Sequence, residues 1–234
     1  PGDTADILLT KNKKDWAEAR ALRITSPAPD RVIPFCKHFG ICGGCKWQML
    51  PYEKQLQYKQ QEAEQNLKRI GKVEVPEIMP IVGCENSIHY RNKLEFTFSN
   101  KRFLTSEEIG SADVVTQQDA LGFHVPRIFD KVIDIFECSL MDDVNNNIRN
   151  SIRDFAKQQG FAFYDIKEHT GWLRNIIVRL CSTGELMVNI CLNHEDEANR
   201  ILLLDHVLQS VPSVTTLLYT INPKWNDSIY DLTP

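Results

Sequence analysis

The chain has 234 residues, 27 Lys and Arg against 31 Asp and Glu, a formal net charge of −4, and 42% hydrophobic and 25% charged residues. This is the balance of an ordinary globular protein, long enough for one large domain or two small ones with real cores. No apolar run reaches the length of a membrane span, no signal peptide opens the chain, and the charge total argues against a uniformly basic nucleic-acid binder. The charge is uneven, however. Lys11, Lys13, Lys14, Arg20 and Arg23 cluster early, and Arg91, Lys93, Lys101 and Arg102 form a second basic group, while acids such as Asp113, Asp130 and Asp143 concentrate elsewhere. Local patches of this kind, not totals, steer polyanions.

In chain order, residues 4–10 read as a strand, Lys11–Asp15 as a polar turn and the alternating stretch Trp16–Thr25 as the second strand of a hairpin. Lys13 and Lys14 at its tip suit either solvent or RNA phosphate. Ser26-Pro27-Ala28-Pro29-Asp30 reads as a boundary.

The next stretch, Phe35 to Gln48, holds three of the seven cysteines, Cys36, Cys42 and Cys45, in the spacing C-x5-C-x2-C with Gly40, Gly43 and Gly44 among them. Three thiolates converging on one point repel each other unless a cation or cluster takes up their charge, and soft thiolates select zinc, copper(I) or iron–sulfur centres. A tetrahedral zinc and a cubane both require a fourth ligand. The spacing is neither the paired C-x2-C of a zinc ribbon nor that of bacterial ferredoxins, and alone it does not choose between the metals. An odd cysteine count without secretory features argues against disulfides and for a reducing cytoplasm.

Residues 51–70 are patterned as a helix with a sparse apolar stripe, stopped by Gly71. Residues 72–87, with Pro76, Pro80, Gly83 and an ordinary thiol at Cys84, read as an extended connection. Tyr90–Ser99 alternates, with Leu94, Phe96 and Phe98 on one side and Arg91, Lys93, Glu95 and Thr97 on the other. Strands follow at 121–125 and 132–136, separated from the first by an irregular acidic insertion over 104–120. The strand at 132–136 leads directly into Cys138, with Ser139 placed to cap a helix over 141–159 that Gly160 closes. A cysteine at a strand end can reach back to the loop, so Cys138 is the nominated fourth ligand, with His38 as a competitor. Cys181 and Cys191 sit in two apolar runs read as a hairpin and are expected to be core thiols. A helix over 195–210 with a broad apolar side and a last strand at 214–221 complete an α+β pattern, an antiparallel sheet with helices on one face. The chain contains no G-x-G-x-x-G, P-loop or H-E-x-x-H motif.

Pro34-Phe35-Cys36 to Trp47-Gln48, followed by Leu50-Pro51-Tyr52 and the Gln-rich helix, together with Tyr90-Arg91-Asn92-Lys93 and Phe136-Glu137-Cys138, resembles the bacterial RNA uracil-5-methyltransferases (the RumA/TrmA type). The resemblance implies a 4Fe-4S cluster on Cys36, Cys42, Cys45 and Cys138, and RNA contacts at Lys13, Lys14, Arg91, Asn92 and Lys93. It further implies the trailing part of a small RNA-binding barrel, the TRAM domain, over 1–27 and an iron–sulfur loop over 28–52. A helix and linker over 53–87 would pack on a methyltransferase domain, and 88–234 would form a central α+β RNA-binding domain. Family enzymes move a methyl group from S-adenosylmethionine to carbon 5 of a uridine that has left its stack. A cysteine adds to carbon 6 and a glutamate removes the proton from carbon 5. Both chain ends read as cut, and no cysteine matches the nucleophile's motif. The expectation is therefore the RNA-binding and iron–sulfur portion of such an enzyme, with 23S ribosomal RNA as the expected substrate. The catalytic, S-adenosylmethionine-binding C-terminal domain would be absent and the chain inactive alone. A zinc-bound, non-enzymatic RNA-binding module is the alternative, and an electron-transfer protein a third reading.

Overall fold

The computed structural model describes residues 2–110 and 118–230. Both extreme ends and the middle of the 104–120 insertion, with Asp113, lie outside the described residues. The chain divides into two compact units: Pro1–Phe35 with Trp47–Cys84, and Cys36–Lys46 with Glu85–Pro234. The cysteine loop thus belongs to the second unit and its two flanks to the first. Among the described residues no helix is long and apolar enough to cross a membrane.

In the first unit, β1 (Thr4–Asn12) pairs antiparallel with β2 (Ala17–Ser26) in a bulged hairpin. The ribbon is two strands alone. Ile7, Leu8, Leu9, Leu22 and Ile24 remain exposed, and the described residues close no barrel around them. Its base is tied by Asp3, whose carboxylate accepts the Ala28 N–H (2.8 Å) and pairs with Arg31 (2.5 Å). Helix α1 (Tyr52–Gln65) continues as a wider π-helical turn over Asn66–Ile70. None of its side chains is buried, in keeping with its sparse apolar stripe. Hydrogen bonds do the fastening instead. Gln55 donates to the carbonyls of Trp47 and Leu50, and Gln60 bridges Met79 and Ile81. The Tyr52 hydroxyl accepts the Cys84 N–H.

The second unit is a six-stranded sheet in the order β5-β4-β3-β6-β7-β8. Its strands are β3 (Lys93–Ser99), β4 (Ala120–Val125), β5 (Ile128–Asp134), β6 (Leu173–Leu180), β7 (Leu186–Leu192) and β8 (Thr216–Ile221). Register aligns the apolar alternation across strands. Leu94 faces Val178 and Phe96 faces Ile176, and on the next ladder Ile176 faces Ile190 and Val178 faces Val188. All are buried, so the period of two carries one continuous apolar face. Two helices complete that core: α3 (Val144–Gln159) through Ile148, Ile152 and Ala156, and α4 (Glu197–Ser210) through Leu203 and Val207. They touch where Phe155 stacks on His206 at 3.9 Å.

Four expectations are corrected. The sheet is mixed, because β8 runs parallel to β7 and α4 forms the crossover between them. Helix α3 starts after Asp143 rather than Ser139, since Asp142 accepts the Val144 N–H and already turns the chain there. The exposed half of α4 carries Ile201, Leu202 and Leu208, so its apolar side is only partly used. The start of the 104–120 insertion is a short helix, α2 (Ser106–Gly110), rather than irregular chain.

Gly122 in β4 is required by close packing, because a Cβ there would lie 2.1 Å from the Ile133 carbonyl oxygen. Gly122→Ala is expected to destabilise the protein by about 1–3 kcal/mol. Thermal unfolding should record this as a lower Tm with the same fold at low temperature.

Candidate thiol centre

The loop Cys36–Lys46 is held against β4 by its own backbone. The Gly43 N–H donates to the His124 carbonyl at 3.2 Å, and a Cβ on Gly43 would fall 2.7 Å from that oxygen. Only glycine allows so close an approach. Before it, the Cys42 N–H donates to the His38 carbonyl at 2.9 Å, folding the segment into a tight turn. Cys138 arrives from the other side. It lies four residues past the end of β5 rather than on the strand itself, and it is buried.

The structure brings Cys36, Cys42, Cys45 and Cys138 into one neighbourhood. Burial raises the Cys42 thiol to about 11, and charge on Cys138, Cys45 and Cys36 adds to that rise. Burial also raises Cys36, with Cys45 adding to it, and raises Cys138, with Cys45 and Cys36 adding to it. Every pair within the quartet is therefore close enough for thiolate to repel thiolate. Backbone N–H groups oppose the repulsion: Gly44 donates to the Cys42 sulfur at 3.3 Å, His38 and Phe39 act on Cys36, and Leu140 acts on Cys138. Amides aimed at sulfur stabilise the anionic form.

Among the described residues no group of three or more His, Cys, Asp or Glu side chains stands ready to hold a metal ion. By donor chemistry alone, four cysteine thiols are the soft set that zinc and iron–sulfur centres take. His38 lies beside it, with Nδ1 4.0 Å from the Cys36 sulfur, and its pKa is lowered by burial and then by the Arg149 cation.

The two remaining cysteine expectations separate. Cys191 is a core thiol, paired with Asn175 in the sheet and pushed up to about 12, chiefly by burial. Cys181 is exposed, because it falls one residue past β6, inside the turn where it exchanges backbone hydrogen bonds with Glu185 and Gly184. The expected RNA contacts fall on both units. Lys13 and Lys14 occupy the exposed β1–β2 turn. Arg91 and Asn92 are exposed just before β3, and Lys93 pairs with Glu95 at 2.9 Å. Among the described residues Lys13, Lys14 and Arg91 form no ion pair. Sequence reasoning misses Asn145 and Asn146, which bond the Cys138 backbone, and Arg149, which donates to both. Their signal is an arginine one position from Ile148 in the buried stripe of α3.

No family model matches the chain. Over 235 residues it is 49% identical to a protein of Bacteroides thetaiotaomicron named as an uncharacterized RNA methyltransferase, covering 99% of this chain and 52% of that one. A Porphyromonas gingivalis protein of the same name is 46% identical, covering 99% and 51%. A Chlorobaculum tepidum protein, also named as an uncharacterized RNA methyltransferase, is 39% identical, covering 97% and 47%. The chain thus spans about half the length of the curated relatives it matches. Among solved structures, Pyrococcus abyssi tRNA (uracil-54, C5)-methyltransferase in complex with S-adenosyl-L-homocysteine aligns at TM-score 0.56 and 20% identity, covering 94% of this chain and 44% of that one. That likeness is one of fold.

These findings correct the functional expectation. The residue patterns suggest an RNA-binding and iron–sulfur portion from which the catalytic domain is absent, with a zinc-bound non-enzymatic module as the alternative. Proteins named as RNA methyltransferases match 99% of the chain, so likeness to a methyltransferase runs along its length. Neither a missing catalytic domain nor an inactive fragment is supported.

Burial orders the reactivity of the thiols, since only a thiolate reacts and burial disfavours it. In metal-free native protein, Cys84 and Cys181 should be modified first by an aromatic disulfide reagent at mildly alkaline pH, and Cys191 only on unfolding. Peptide mapping of the labelled protein checks the order, and early labelling of Cys191 would contradict it.

Proposed function

We propose that the chain works in the methylation of RNA by S-adenosylmethionine, with carbon 5 of uridine as the target. The observation that supports this reading is the 49% identity, over 99% of the chain, to a protein named as an RNA methyltransferase. The solved structure that shares its fold is named for uracil C5 chemistry and holds S-adenosyl-L-homocysteine, the product left after a methyl group departs. The reducing compartment that seven free cysteines favour agrees with a cytoplasmic RNA enzyme.

Two finer parts belong to the proposal. The first is a 4Fe-4S centre on Cys36, Cys42, Cys45 and Cys138. Its support is the donor set, four thiols of which Cys36, Cys42 and Cys138 are raised by charge on the others, and the backbone amides aimed at their sulfurs. When bound, such a centre supplies a cross-link between the loop and the chain after β5. The protein's residues then orient the donors: Gly43 seats the loop on β4, and the start of α3 fixes Cys138.

The second part is RNA contact through Lys13, Lys14, Arg91, Asn92 and Lys93. Cations without carboxylate partners are the groups that neutralise phosphate, and among the described residues this supports Lys13, Lys14 and Arg91; Lys93 is paired with Glu95, and Asn92 would contribute its amide. On this reading residues 1–27 form part of a TRAM-like element, 28–52 carry the cysteine loop, and 53–87 connect it to the α+β domain of 88–234.

Cells lacking the gene are expected to lose a 5-methyluridine from one RNA, and to regain it on complementation, in nucleoside mass spectrometry of purified RNA classes. An unchanged 5-methyluridine content in every class would remove the proposal. Lys13→Glu and Lys14→Glu are expected to weaken RNA binding across sequences and to lower the salt slope by about one for each phosphate no longer neutralised. Titrations at several salt concentrations measure both effects.

A further inference from the structure

Helix α3 buries two arginines, and their charges are answered differently. Arg153 has Asp134 at 3.7 Å and Asp154 at 2.9 Å. Arg149 is 0% exposed and, among the described residues, forms no ion pair. Its hydrogen-bond partners are all neutral. Nε donates to the Ile135 carbonyl at 2.8 Å, and the two terminal nitrogens donate to Asn145 Oδ1 at 3.0 Å and Asn146 Oδ1 at 2.9 Å. The Phe96 ring lies 4.8 Å from the guanidinium carbon. Burying a guanidinium without a counter-charge is strongly unfavourable.

The two asparagines show where the counter-charge belongs. Asn146 Oδ1 also accepts the Cys138 N–H at 2.8 Å, and Asn145 Nδ2 donates to the Cys138 carbonyl at 3.1 Å. Guanidinium, both amides and the Cys138 backbone therefore make one closed unit on the first turns of α3. Burial lowers Arg149 to about 10, and Cys138 and then the Asp134 carboxylate, which itself pairs with Arg153, oppose that shift. The buried positive charge thus lies two hydrogen bonds from the Cys138 backbone, through Asn145 and Asn146.

We propose that Arg149 is the buried counter-cation of a thiolate-bound iron–sulfur centre on Cys36, Cys42, Cys45 and Cys138, and that through Asn145 and Asn146 it fixes Cys138 for ligation. The inference rests on the reading of those four thiols as ligands. A 4Fe-4S centre with four thiolates is an anion in both common oxidation states, and net charge and hydrogen bonding set its potential. An adjacent fixed cation raises that potential, because the reduced state carries one more negative charge. Arg149 acts through Cys138 and through the field, so it is a positioning residue.

The test compares anaerobically reconstituted wild type, Arg149→Lys and Arg149→Gln by iron and sulfide content, redox titration followed by electron paramagnetic resonance, and iron release to a chelator. Arg149→Gln is expected to have a more negative midpoint potential and to release iron roughly ten- to a hundred-fold faster, the scale of effect when the groups that orient a metal ligand are removed. Arg149→Lys should keep the potential near wild type while releasing iron faster, because it retains the charge and loses the fork. An unchanged potential in Arg149→Gln overturns the inference while leaving the centre itself intact. A wild type that takes up no iron and sulfide overturns the ligand reading instead, and the inference with it. Should Arg149→Gln fail to fold, Asn146→Asp replaces it. Its carboxylate still accepts the Cys138 N–H but cancels the Arg149 charge, so the potential must fall, and an unchanged value again overturns the inference.

Discussion

Four thiols that share a partly buried site cannot all ionise unless something positive answers them. Burial raises three of them, and their neighbours raise them further. Metal binding requires thiolate, so the local structure must supply what water cannot. Backbone amides at Gly44, Leu140, His38 and Phe39 provide part of it, and the buried guanidinium of Arg149 favours the thiolate of Cys138. A bound cationic centre would supply the rest, and binding would draw the loop and Cys138 into fixed positions.

The sheet makes this possible by giving the site a rigid floor. Strand β4 offers the His124 carbonyl to the loop, and β5 delivers the chain to Cys138. Helix α3 uses one buried stripe for two purposes: Ile148, Ile152 and Ala156 fill the core, while Asn145 beside them donates to the Cys138 carbonyl and Arg149 donates to Asn145. The first unit is built by other means. Its ribbon leaves apolar side chains exposed, and α1 is fastened by glutamine and tyrosine hydrogen bonds rather than by burial.

What can be read from the sequence follows local periodicity. Leu94, Phe96 and Phe98 alternate and are all buried, and Gly160 closes α3 in the left-handed conformation at φ 69°. The parallel β8 is not readable, because its pairing depends on where α4 packs rather than on its own residues. Cys181 and Cys191 look alike in apolar runs, yet one residue of register puts the first in a turn and the second in the core. The clustering of Cys36, Cys42 and Cys45 is visible in spacing. The buried Arg149 is hidden, because arginine in a helix ordinarily reads as a solvated face.

The most direct measurement is made on a variant with Cys84, Cys181 and Cys191 all replaced by serine, purified without oxygen and analysed for iron, acid-labile sulfide and zinc. The account predicts about four irons and four sulfides per chain, as in wild type, with the broad visible absorption of a four-cysteine cubane. A colourless protein holding a single zinc, or a centre lost on removing those three thiols, would contradict it.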